Sequence, residues 1–181
     1  GGLSTSALQG LTTAQAVALT SSSLQALSAS QINALTSTAL QAIETADTAT
    51  LSKGQIGSIS STQLNQLSTG QIRALTDTQL KAISTSQVVG LSSTQLGSLS
   101  STQLRTLSTQ QVQSLNLTNL GTVQTANLSS TQLQSLTTTQ MGTVNSTSSL
   151  LSLGIAVFNA LGSHQMATIS TTAFGALSST L

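Results

Sequence analysis

The chain has 181 residues, a net charge of +1, and only 4% charged and 1% aromatic side chains, where ordinary domains carry about 25% charged residues. Pro, Cys, Trp and Tyr are absent, which excludes disulfides, thiolate metal sites and cysteine nucleophiles. Lys53, Arg73, Lys81 and Arg105 are scattered, so the chain shows neither a phosphate-binding patch nor a basic amphipathic membrane helix.

Gly1-Gly2 lead straight into a repeat, with no leader pattern ahead of it, as in a mature product or a portion of a longer chain. From Leu3 to Thr122 every eighth residue is Leu or Ile, giving 15 octads without a slip. A strict repeat this short predicts a quasi-one-dimensional solenoid rather than a globular enzyme. Residues 3–122 form the regular array, residues 123–152 a register-shifted stretch and residues 153–181 a terminal set of octads, all in one continuous domain.

The consensus is Leu-Ser-Thr-x-Gln-Leu-x-Ala, as in Leu67 to Ala74. Position 2 is Ser or Thr in 13 of 15 octads, position 5 is Gln in 10, and position 6 is apolar in 14. Ser or Thr followed three residues later by Gln is a capping box, and the apolar residues flanking it form a hydrophobic staple. Each octad therefore reads as a helix N-terminus followed by barely one turn. Position 7, which holds Arg73, Lys81 and Arg105, reads as the solvent-facing position. The predicted fold class is mainly α, a superhelix of single-turn helices. The alternative is a β-solenoid or cross-β stack, bent within each octad because positions 1 and 6 are an odd number of residues apart.

One octad cannot fold alone, because ordering eight residues costs more than burying two aliphatic side chains returns. Stacking on neighbours must supply the difference. The alternation Ile56, Leu64, Ile72, Leu80, Val88, Leu96 at position 6 points to a coil of two octads, 16 residues.

The octad Ile43 to Thr50 departs from the pattern, with Glu44 at the cap, Asp47 in place of Gln and Thr48 at the apolar position. Two carboxylates alone do not make a calcium loop, and a solvated acidic edge is the expected reading. After Thr122 the register shifts. Val123 to Asn127 reads as a five-residue insert, with octads resuming at Leu128 and Leu136; Val144 to Ser152 spans nine residues, and octads resume at Leu153. Leu150, Leu151, Ile155, Val157, Phe158 and Phe174 form the densest apolar group and are the expected polymer interface. His164 is the sole His and a poor candidate for metal or general acid–base work. No catalytic, cofactor or metal residue is assigned, and no enzyme activity is expected.

Runs such as Ile59-Ser-Ser-Thr-Gln-Leu through Leu75-Thr-Asp-Thr-Gln-Leu resemble the Leu-Ser/Thr-Thr-x-Gln-Leu octad arrays of large secreted, adhesin-like surface proteins of Gram-negative bacteria. The resemblance spans about Leu3 to Thr143. It implies an extracellular, structural role. No haem ligand is carried over, because Met141 and Met166 lie in no recognisable motif.

These readings together lead to one expectation: a non-catalytic protein of the bacterial surface that polymerises with itself into a filament, sheath or biofilm-matrix fibre. The partners expected are further copies of the chain and cell-surface glycans, with no nucleic acid and no membrane insertion. The alternatives are a spacer within a large adhesin and a Ser/Thr-rich array that binds glycans or ice.

Overall fold

The computed structural model describes residues 2–117, 119–143 and 159–169. Among these residues there are helices of four to six residues and no strand. The chain is therefore a helical solenoid, and the β-solenoid and cross-β alternatives do not hold. It divides into two compact units, Gly1–Leu99 and Ser100–Leu181.

The first unit begins with α1 (Thr5–Gln9), α2 (Thr13–Val17), α3 (Ser21–Gln25), α4 (Ala29–Ala34), α5 (Ser37–Ala42) and α6 (Thr45–Thr48). It continues through α7 (Lys53–Ser58), α8 (Ser61–Gln66), α9 (Thr69–Ala74), α10 (Asp77–Ala82), α11 (Thr85–Val89) and α12 (Ser93–Ser98). The octad explains both ends of each helix. Ser68 is extended (φ −64°, ψ 157°), so its hydroxyl can accept the Gln71 N–H, while Gln71 Oε1 accepts the Ser68 N–H in return. At the far end the next position-1 residue is extended again, as at Leu67 (φ −61°, ψ 143°). Its N–H donates to the carbonyl three residues back, Leu67 to Leu64 at 3.2 Å, which tightens the last turn. The following Ser or Thr then starts a new helix.

Helices stack on the third helix along the chain: α4 on α1, α5 on α2, α7 on α4, α8 on α5, α9 on α6, α10 on α7, α11 on α8 and α12 on α9. A coil in this unit therefore holds three helices and 24 residues, not the 16 read from the alternation at position 6. That alternation has another cause. With three octads per coil, each β-branched residue lies one layer from a Leu: Ile56 and Leu80, Leu64 and Val88, Ile72 and Leu96. All six are 0–1% exposed. Alternating side-chain shape between facing layers lets them interdigitate without voids.

Position 6 thus fills the centre, and position 1 lines it at the junctions between helices. Position 8 is small where coils come close: a Cβ on Gly90 would stand 3.2 Å from the Ser61 carbonyl oxygen. Position 7 is exposed, yet it is not idle. Gln41 Nε2 donates to the Gln66 carbonyl of the next coil at 2.6 Å.

In the second unit the described helices are α13 (Ser101–Thr106), α14 (Thr109–Ser114), α15 (Gly121–Ala126), α16 (Ser130–Ser135), α17 (Thr138–Thr143) and α18 (Ser163–Met166). Here α14 packs on α16, two helices on rather than three. The stretch Leu115 to Asn127 replaces two octads with one turn, where Leu120 N–H donates to the Leu117 carbonyl, and one uncapped helix, α15. What reads as a five-residue insert in the octad frame is a coil shortened by three residues, from 24 to 21 between Leu107 and Leu128.

Candidate functional site

The residues able to do chemistry do not converge. Among the described residues no three His, Asp or Glu side chains gather at a point where they could hold a metal ion, and no helix is long and apolar enough to cross a membrane. His164 is exposed on α18. Glu44 is exposed at the start of α6 and makes no side-chain cap. Asp47 instead accepts a hydrogen bond from the Ser21 hydroxyl of the coil below. Arg105 Nε donates to the Asn127 carbonyl at 3.0 Å. Leu150, Leu151, Ile155, Val157, Phe158 and Phe174, the interface expected from sequence, lie outside the described residues.

The recurrent polar feature is the position-5 glutamine. Gln55 is 4% exposed. Its Oε1 accepts the Ser52 N–H at 2.8 Å, completing the cap of its own helix. Its Nε2 donates twice, at 2.7 Å each, to the Leu24 and Leu27 carbonyls of the coil below. The first carbonyl belongs to the end of α3 and the second to the residue joining α3 to α4. One primary amide thus joins three helix ends. Gln71 repeats this with the Leu40 and Ile43 carbonyls at 2.8 and 2.9 Å, and Gln95 with those of Leu64 and Leu67 at 3.1 and 2.8 Å.

The second unit uses the same tie across its altered register. Gln132 reaches the carbonyls of Leu104 and Leu107, Gln140 those of Val112 and Leu115, and Gln165 those of Leu133 and Leu136, all at 2.7–2.9 Å. No buried side-chain nitrogen or oxygen among the described residues lacks a partner. That matters because an orphaned buried polar group costs about 1–3 kcal/mol.

The sequence reading captured only the Oε1 half of this amide. A signal for the other half is present. A capping box works with Glu as well as Gln, yet none of the 15 octads has Glu at position 5 and 10 have Gln. Only the amide offers donors to the coil below.

This arrangement makes the two faces of a coil chemically unlike. One face presents glutamine N–H donors at the helix starts. The other presents carbonyls at the helix ends. The arrangement binds another coil in one orientation, and nothing in it activates water, polarises a substrate or moves a proton.

No curated protein and no solved structure matches the chain. The repeat region does match a family model: residues 40–77 and again 69–101 are similar to the ALTTAQ repeat.

Proposed function

We propose that the protein is a non-catalytic structural element of the bacterial surface that assembles with itself into an extracellular filament, sheath or matrix fibre. The observation that carries this reading is the unlike pair of coil faces, joined inside the chain by buried amides at 2.7–2.9 Å, as at Gln55 and Gln132. An interface that already repeats within one chain needs no new chemistry to repeat between chains. The low charge supports the same reading, because it removes the like-charge repulsion that keeps proteins monomeric.

Negative-stain microscopy of the purified chain at rising concentration tests the proposal. Filaments of constant width support it. A monodisperse rod at every concentration overturns it and favours the spacer of a larger adhesin. Extracellular placement is tested separately, by labelling intact cells with an antibody to the chain and comparing them with permeabilised ones.

A further inference from the structure

The lowest coil of the first unit, α1 to α3, has an uncovered side. Leu3 is 42% exposed, whereas its position-1 counterparts Leu27, Leu35, Ile43 and Leu51 are 2–6% exposed. Leu11 and Leu19 are only half-buried. A recess opens between Leu3, Ser22, Ala26 and Leu27. Gln15 completes its own cap, with Oε1 accepting the Thr12 N–H at 3.0 Å. Two coils higher at the same position, Gln63 Nε2 donates to the Asn33 and Leu35 carbonyls at 2.9 and 2.7 Å. Gln15 Nε2 meets no such carbonyl among the described residues.

We infer that this side of α1–α3 is the donor end of a head-to-tail joint, covered by the carbonyl edge of a second copy of this chain. The inference rests on the filament reading above and names its interface and polarity. Two observations select the occupant. The face repeats the coil-on-coil interface used throughout the unit, with Leu at position 1 and an amide donor at position 5. It also carries no ionisable side chain, since Glu44 is the first charged residue of the chain, so a charged peptide or acidic polymer finds no counter-charge there. Two such faces cannot pair with each other, because Gln15 donors would meet Gln15 donors. The joint is heterologous, and a heterologous joint that does not close into a ring grows into an open polymer.

The test uses the 181-residue chain and two variants. Gln15→Glu keeps the cap, since Glu serves a capping box as Gln does, but replaces the donor with a carboxylate. Leu11→Arg places a charge on the apolar part of the face. Helicity by circular dichroism is expected to stay unchanged for Gln15→Glu. Sedimentation velocity is expected to show an open-ended series of wild-type species growing with concentration, with Gln15→Glu raising the concentration needed by about tenfold. Either variant retains its carbonyl end, so a sub-stoichiometric amount is expected to join wild-type filaments and shorten them. A wild-type series that stops at a dimer overturns the inference. Wild-type filaments that form equally well in both variants also overturn it and leave the fibre reading standing. A wild-type chain that remains monomeric overturns both.

Discussion

Octads 51–98 and the stretch Leu115–Asn127 solve one problem with different numbers of residues. In the former each coil has three capped helices, and each glutamine reaches carbonyls 28 and 31 residues back. Around the latter a turn and the uncapped α15 stand in for two octads, and the reach falls to 25 and 28 residues. The three-helix junction survives in both. What the stack requires is that a helix end arrive beneath each amide; the octad is one way of delivering it.

The octad containing α6 shows a third arrangement. Asp47 has no N–H to give, and Ser21 in the coil below donates to it instead. Thr48 takes the central position at 2% exposure and returns its hydroxyl to the Glu44 carbonyl at 3.2 Å. The contact between coils persists, but α6 is only four residues long and has no side-chain cap.

The sharpest way to break the comparison is to excise residues 123–127. This restores a strict octad register in sequence and leaves 16 residues between Leu107 and Leu128, too few for the second unit's coil. Amide exchange protection at Leu133 and Met141 is expected to collapse to unfolded-chain levels, whereas inserting three residues there to make 24 is expected to preserve it. Next in size is Gln71→Glu, which keeps the cap but turns a carboxylate toward two buried carbonyls. An uncompensated buried charge of this kind costs about 3–5 kcal/mol at pH 7, read from the urea midpoint. Burial raises the folded-state pKa of the new carboxyl above its unfolded value. The penalty is therefore complete above the folded pKa and fades as the pH falls toward the unfolded one, so this variant should gain stability on mild acidification.

Ile72→Ala empties part of a fully buried layer and should cost about 3 kcal/mol in the same measurement. The smallest pair has opposite signs. Ser68→Ala removes a hydroxyl cap and should destabilise by about 1 kcal/mol, while Glu44→Ser supplies the cap that α6 lacks and should stabilise by about 0.5–1 kcal/mol. Equal effects at positions 68 and 44 would mean that the cap at α6 is replaced by something other than a side chain.

Local structure was largely legible in the amino-acid order. Ser68, Gln71, Leu67 and Ile72 specify their helix start within six residues, and the structure forms it as read. The number of helices per coil was not legible, because an eight-residue period sets the spacing of elements and not how many complete a turn. The apolar alternation from Ile56 to Leu96 suggested two octads and instead reflects packing between layers of three. Half of the glutamine's role was hidden for a related reason. Its Oε1 partner lies three residues away, within reach of pattern reading, whereas its Nε2 partners are 28 and 31 residues away on another coil. The interface residues expected from Leu150 to Phe174 rested on apolar density alone, with no repeat rule to place them.

The polar ties between coils described above, apart from those made by Asp47 and Arg105, run through primary amides, hydroxyls and backbone groups. None of these takes up or releases a proton across the ordinary range of water chemistry, and contacts between neutral groups are not weakened by the counter-ion screening that erodes exposed ion pairs. A rod joined in this way should keep its joints in brackish, acidic or desalted surroundings alike, so its disassembly would have to come from heat, denaturant or proteolysis.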